Sequence, residues 1–159
     1  MALDSTNKAA SRHHGFLLFV LCFLSYAYFY QGGGWNQNSR FDLTRAIVEQ
    51  HSFAIDAYAA NTGDVSARAG HIYCDKAPGQ SLLAAPVYAL FMHGEREPDA
   101  ARLNDAAYVI TLASVALPGA LAVWVLHTLL LAFGARAAWA VAVALGYGLA
   151  TMAWPYSTM

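Results

Sequence analysis

The chain has 159 residues, of which 58% are hydrophobic and 12% are charged, and its formal net charge is −1. Ordinary soluble domains have roughly 25% charged and 45–50% apolar residues, so this composition excludes a typical soluble domain. It also excludes disordered and collagen-like chains, because it has neither blocks of like charge nor a Gly-X-Y period. The near-neutral balance, without a basic patch, predicts no nucleic-acid partner.

The few charged residues are distributed unevenly. Four long stretches contain no Asp, Glu, Lys or Arg: 13–39, 77–94, 106–135 and 137–159. By contrast, 9 of the 19 charged residues lie between Gly32 and Pro78. Long uncharged apolar runs are typical of helices that cross the ~30 Å hydrocarbon core of a bilayer. The distribution predicts an all-α polytopic transmembrane helix bundle of about four spans, with one large polar loop.

The first apolar run, 15–31, follows a polar segment, 1–14, that contains Lys8 and Arg12. A basic flank before an apolar core is shared by membrane anchors and secretory signal peptides. The long core, its Tyr-rich end and the lack of an A-x-A-like cleavage site favour an uncleaved transmembrane helix. By the positive-inside rule the N-terminus is then cytoplasmic, and residues 32–78 form an external loop.

Three further spans are predicted, at 79–94, 104–133 and 137–156. The first of these is near the minimum length and contains Pro86, so a re-entrant or interfacial helix is the alternative. Residues 95–103 are then a cytoplasmic loop. The sequence ends directly after an apolar run, and we expect a truncated chain that represents the front part of a larger protein.

The external loop contains signals of local order. Ser39 and Asp42 have capping-box spacing, and the apolar stripe that follows predicts a short amphipathic interfacial helix over about 40–50. Residues 61–64, Asn-Thr-Gly-Asp, are a turn signal. The HIYCDK run after Gly70 predicts a short extended piece that leads into the second span.

Polar side chains of this loop are candidates for chemistry at the membrane surface. Asp64 and Asp75 have carboxylates that act as general bases or bind a divalent cation. Arg40, His71 and Lys76 are suited to holding a phosphate, Arg through a bidentate fork and Lys as a point charge. For any one of these residues alone, a surface position or a local cap in a solvated loop is the favoured interpretation.

Two motifs in the loop resemble a known family. The loop opens with NQNSRFDLTRAIVEQ, and GHIYCDKAPGQSLLAAP leads into the second span. Together they resemble the N-terminal part of the C-type (GT-C) membrane glycosyltransferases, close to protein mannosyltransferases and lipid A aminoarabinose transferases. The residues that match the two family elements are Arg40-Phe41 in the first and Tyr73, Asp75-Lys76 and Pro78 in the second.

The sequence departs from the family at one important place. The acidic pair that precedes the Arg in the family reads Gln37-Asn38 here. Three interpretations stay open. Asp64 or Asp42 supplies the missing carboxylate, the amides bind donor or acceptor, or the protein is not a standard transferase.

The resemblance implies an enzyme of the plasma (inner) membrane that transfers a hexose or pentose at its outer face. The donor is then a polyprenyl-phosphate-linked sugar, and the acceptor is a lipid, a glycan or a protein. A divalent cation is compatible with this chemistry but is not required. The implied site consists of catalytic Asp64 and Asp75 and of donor-binding Lys76, Arg40, His71, Tyr73 and Asn38. A transporter-like protein and a non-catalytic membrane scaffold are the alternatives.

Overall fold

The structure is a computed structural model that describes residues 5–95 and 97–159. The described chain is mostly helical and divides into two compact units. One unit comprises the residues up to Phe29 together with Ala116–Thr158, and the other comprises Tyr30–Val115 with Met159. The helical prediction is therefore confirmed for most of the chain, but it omits a two-stranded sheet in the second unit.

The elements follow one another in a simple order. They are α1 (Ser5–Tyr28), α2 (Trp35–Glu49), a 3₁₀-helix (Asp56–Asn61), β1 (Val65–Arg68), β2 (His71–Cys74), α3 (Gly79–Phe91), α4 (Ala100–Thr111), a π-helical turn (Leu112–Ala116), α5 (Leu117–Ala132), α6 (Ala137–Ala150) and α7 (Ala153–Ser157).

In the first unit, α1 packs against α5 and α6 through small residues. The Tyr26 hydroxyl donates a 2.9 Å hydrogen bond to the Gly148 carbonyl and ties α1 to α6. A Cβ at Gly148 would lie 2.9 Å from Val123 and 3.0 Å from Cys22, so this close approach requires glycine. The outer face of α1 remains apolar, because large side chains such as Leu17 are more than half exposed.

One helical stretch, Ala100–Ala132, is long and apolar enough to cross a bilayer by length and composition. Three other apolar helices, His13–Tyr28, Gly79–Phe91 and Ala137–Ala150, have 10–17 residues. They are shorter than the roughly 20 residues that a bilayer core requires. The described chain thus has one candidate span, and the four-span bundle stays a prediction.

In the second unit, α2 begins five residues earlier than the sequence predicted. Gly33 has a φ of +82°, Gly34 is extended, and the helix starts directly after them at Trp35. Ser39 therefore lies inside the helix. The capping-box prediction is wrong, because the Ser39 hydroxyl donates to the Asp64 carbonyl instead of capping α2.

The strands β1 and β2 form an antiparallel hairpin with a two-residue turn. The turn residues Ala69 and Gly70 have φ values of +52° and +83°, as the tight turns of two-residue hairpins require. Only the second strand was predicted. The register pairs Val65 with Cys74 at the open end of the hairpin.

The core of the second unit lies between α2, α3 and α4. Tyr88 of α3 is fully buried and packs with Ala84, Met92, Ala106 and Ile110. A smaller cluster joins α2 to the loop that follows it; its members are Leu43, Ala46 and Ile55. The interface between α2 and α3 positions the polar residues of the candidate site.

Candidate functional site

The first half of α2 holds the segment 61–64 in place through three side-chain hydrogen bonds. The Thr62 hydroxyl donates to the Trp35 carbonyl at 2.7 Å, and the Asn38 amide donates to the Asn61 carbonyl at 2.9 Å. Ser39, which is fully buried, donates to the Asp64 carbonyl at 2.7 Å. The backbone of Asp64 is therefore fixed against α2.

The hairpin register brings Asp64 close to Asp75. Asp64 precedes Val65 and Asp75 follows Cys74, and these two strand residues are directly paired. The Lys76 ammonium lies between the carboxylates, with Nζ 3.1 Å from Asp64 Oδ2 and 2.9 Å from Asp75 Oδ1. We call Asp64, Asp75 and Lys76 the Asp–Lys–Asp cluster.

The cluster has two negative charges and one positive charge within direct contact. Hydrogen bonds to Asp75 and Asp64 raise the pKa of Lys76, so the ammonium stays charged throughout the neutral range. The three side chains are between 24% and 35% exposed, and a ligand can reach them. In the described residues, no three His, Cys, Asp or Glu side chains are grouped as metal ligands.

A cavity of about 310 Å³ lies between α2, α3 and α4 in the same unit. Its lining is rich in amide and hydroxyl side chains. The lining residues are Tyr30, Gly32, Gly33, Gln37, Asn38, Arg40, Phe41, Thr44, Gln80, Ser81, Ala84, Asn104, Ala107, Ile110, Thr111 and Met159. Among these residues, only Arg40 has a side chain that is charged at neutral pH.

Both the guanidinium and the backbone carbonyl of Arg40 are hydrogen-bonded. Its guanidinium Nη1 donates to the Gln80 side-chain carbonyl. Its backbone carbonyl accepts hydrogen bonds from Thr44 and Ser81, each at 2.9 Å. The guanidinium Nε is buried and has no hydrogen-bond partner in the described chain, so it has a donor to spare.

The cavity and the Asp–Lys–Asp cluster share one short stretch of α2. Asn38 and Arg40 line the cavity, whereas Ser39 between them is bonded to Asp64 of the cluster. On the other side, the chain passes from Lys76 directly into the start of α3, which supplies Gln80 to the cavity. The structure thus brings Asp64, Asp75 and Lys76 together, and it puts Arg40 and Asn38 in the adjacent cavity.

Two predicted site residues lie elsewhere. His71 Nδ1 is 2.7 Å from Asp56 Oδ2, and the backbone N–H of Ile72 donates to Asp56 Oδ1 at 2.6 Å. These bonds, first the one with His71, lower the pKa of Asp56. Tyr73 is paired with Ser66 in the hairpin, and its ring centroid is 6.5 Å from that of His71. Neither residue lines the cavity.

Sequence reasoning assigned no part of the site to Gln80 or Asn104, and it gave Asp42 only as an alternative carboxylate. The Asp42 side chain is 1% exposed, accepts one hydrogen bond from Asn61 and leaves Oδ2 without a partner among the described residues. Burial raises the pKa of Asp42 to about 6. No local pattern in the sequence predicts its burial, because Ser39, three residues before it on the same face of α2, is polar as well.

Comparison with known protein families, with curated proteins and with solved structures gives no match to this chain.

Proposed function

We propose that the protein is an integral membrane glycosyltransferase of the GT-C type. It transfers a sugar from a polyprenyl-phosphate donor to an acceptor hydroxyl at the outer face of the membrane. The observation that supports this proposal best is the convergence of Asp64, Asp75 and Lys76 beside a cavity that contains Arg40. The cluster joins side chains from both ends of the β-hairpin.

The chemistry is an inverting single displacement. A carboxylate of the cluster, Asp64 in our assignment, takes the proton of the acceptor hydroxyl. The acceptor oxygen forms a bond to the anomeric carbon of the donor sugar. The bond between that carbon and the phosphate oxygen breaks at the same time, and the polyprenyl phosphate leaves with the electron pair. Lys76 and Arg40 stabilise the negative charge that develops on this phosphate.

The family departure at Gln37-Asn38 fits this assignment. Both amides belong to the cavity lining, and neither side chain can accept a proton as a general base at neutral pH. The proton acceptor must then come from another residue. We assign this role to Asp64, because Ser39, the next residue after Asn38, donates a hydrogen bond to the Asp64 backbone carbonyl. His71 and Tyr73 have no role in this proposal.

The membrane part of the proposal is a four-span bundle with a cytoplasmic N-terminus and with residues 32–78 outside. It is supported by the apolar side chains that helices of the first unit leave exposed. Phe16, Leu17 and Leu24 of α1 are 53%, 62% and 59% exposed, and Leu129 of α5 is 49% exposed. Large apolar surfaces of this kind are costly in water and favourable in lipid.

A transfer assay tests the proposal. Membranes that contain the wild-type protein are incubated with a polyprenyl-phosphate-linked sugar, and transfer of the labelled sugar to acceptor is measured. We expect Asp64→Asn to reduce the rate at least about 10²-fold, which is typical of the loss of a general base. The matched control is Arg68→Gln, at the exposed tip of the same hairpin, which should keep wild-type activity.

Two results would contradict the proposal. If the double variant Asp75→Ala/Lys76→Ala transfers sugar at the wild-type rate, the cluster is not the site. If the wild-type protein transfers no sugar from any polyprenyl-phosphate donor, the scaffold or transporter alternative takes its place.

A further inference from the structure

The cavity lining has a distinctive chemistry. Four of its side chains are carboxamides: Gln37, Asn38, Gln80 and Asn104. A carboxamide offers both a hydrogen-bond donor and an acceptor, which is the same combination that a sugar hydroxyl offers. A bare phosphate would use only donors, and an ammonium group would use only acceptors. A carboxamide-rich lining therefore matches a polyhydroxyl ring best.

Much of this hydrogen-bonding capacity is free. The side chains of Gln37 and Asn104 make no hydrogen bond within the described chain, and Gln80 keeps its amino group after accepting from Arg40. The hydroxyls of Thr44 and Ser81 already donate hydrogen bonds to the Arg40 carbonyl, so they can only accept hydrogen bonds from a ligand. The lining thus offers both donors and acceptors to a ligand.

The charge and size of the cavity narrow the choice of sugar. Arg40 is cationic and, among the described residues, no acidic side chain lines the cavity to balance it. The ammonium of an amino sugar would find no acidic side chain in this lining to pair with. The volume of about 310 Å³ is at the lower end of the ~300–1,000 Å³ that small-molecule pockets span, and it suits one ring rather than a chain of rings.

We propose that this cavity binds the ring of a neutral monosaccharide, with its anomeric phosphate directed to Arg40. The donor sugar is then a neutral hexose or pentose and not an amino sugar. This inference rests on the proposed function for the identity of the ligand as a glycosyl donor. The binding itself does not depend on transfer, so the two can be tested separately.

The experiment measures binding of soluble probes to the purified full chain in lipid nanodiscs by titration calorimetry. The probes are a neutral hexose 1-phosphate, an amino-sugar 1-phosphate and inorganic phosphate. We expect the neutral hexose 1-phosphate to bind at least tenfold more tightly than either of the others. The double variant Gln37→Ala/Asn104→Ala should lower its affinity to that of inorganic phosphate. The matched control is Asn36→Ala, an exposed amide of α2 outside the cavity lining, which should bind like the wild type.

Equal affinities for inorganic phosphate and the neutral hexose 1-phosphate would overturn the inference, because the cavity would then recognise phosphate alone. Tighter binding of the amino-sugar 1-phosphate, or no binding of any probe, would overturn it as well. Asp64→Asn separates the two proposals. It should abolish transfer and keep the affinity for hexose 1-phosphate, whereas a wrong transferase assignment leaves transfer absent in the wild type with binding intact.

Discussion

The Lys76 ammonium lies 3.1 Å from the Asp64 carboxylate, although the two residues are twelve positions apart in the chain. The hairpin accounts for this proximity, because it folds back at Ala69-Gly70 and returns Asp75 to the level of Asp64. The ammonium then compensates the repulsion between two neighbouring carboxylates. The register of the hairpin therefore determines the geometry of the Asp–Lys–Asp cluster.

The first prediction distinguishes the role of Lys76 from that of His71. The sequence predicted that both residues bind a phosphate. Lys76→Ala should lower the rate of sugar transfer by about 10²-fold, since both carboxylates lose their counter-ion and the leaving phosphate loses a cation. His71→Ala should keep the rate within about threefold of the wild type, since His71 pairs with Asp56 away from the cluster. Initial rates in membranes measure both. Similar losses in the two variants would show that His71 does belong to the site.

The second prediction concerns the contribution of Asp42 to the pH dependence of stability. Its pKa is about 6 in the fold and 3.8 without the fold, because burial disfavours the charged carboxylate. The folded state thus binds the proton more tightly. The free energy of unfolding should fall by up to about 3 kcal/mol as the pH rises from about 4 to about 6, and it should then level off.

The variant Asp42→Asn tests this directly. It should lose most of the stability change between pH 5 and pH 7.5, measured as the midpoint of thermal unfolding, and it should be more stable than the wild type at pH 7.5. Asp105→Asn, on the exposed face of α4, is the matched control and should keep the wild-type dependence. The assignment fails if Asp42→Asn shows the same pH profile as the wild type. Arg45 and Tyr58 are the other ionisable groups that act on Asp42, and they stay unchanged in this comparison.

A third prediction addresses Glu49, where α2 ends. Its carboxylate accepts hydrogen bonds from Tyr58 at 2.5 Å and from Tyr88, and it pairs with Arg45 at 3.1 Å. Burial alone would raise the pKa of Glu49, but these three partners outweigh it and lower the pKa. Stability from Glu49 is therefore present above its ordinary pKa and is lost only in acid.

Glu49→Ala should cost about 1–3 kcal/mol, because it leaves the buried Tyr88 hydroxyl without its acceptor. Glu49→Gln should cost less, since an amide oxygen still accepts one of the hydrogen bonds. Gln50→Ala, at the next and exposed position, should change stability little. Chemical unfolding monitored by tyrosine absorbance measures all three, and equal stability of Glu49→Ala and Gln50→Ala would contradict the role assigned to Glu49.

Hydrophobic runs were sufficient to predict where most helices lie, because an apolar segment of helical length has few other ways to satisfy its backbone. The hydrophobic runs did not predict the exact first and last residues of the helices. The start of α2 was misplaced because Ser39 looks like a cap in sequence, whereas its partner is the distant Asp64 carbonyl. Strand β1 was missed because it has only four residues, VSAR, and all of them are exposed, so that its alternation is too short to stand out.

The candidate site was likewise predicted only in part. Asp64, Asp75 and Lys76 were recognised as residues with the right chemistry, but their common contact depends on the hairpin register, which the sequence did not indicate. The cavity amides Gln80 and Asn104 come from helices that are distant in sequence, and no local pattern marks them. Residue types are local information, whereas the set of residues that share a cavity is a property of packing.

The last prediction tests whether the hairpin turn supports the cluster. Ala69 has a φ of +52°, a conformation that costs most L-residues about 1 kcal/mol or more but that Asn tolerates better. Ala69→Asn followed by Gly70 gives the Asn-Gly pair favoured in two-residue hairpins, so it should stabilise the hairpin by about 0.5–1 kcal/mol. Amide hydrogen exchange at Ser66 and Tyr73, which are paired with each other in the hairpin, should slow accordingly. Gly70→Val should do the opposite, because a β-branched residue at φ +83° is strained, and it should also lower the rate of sugar transfer. Unchanged exchange in both variants would mean that the cluster is held by α2 alone, through the bond from Ser39 to Asp64.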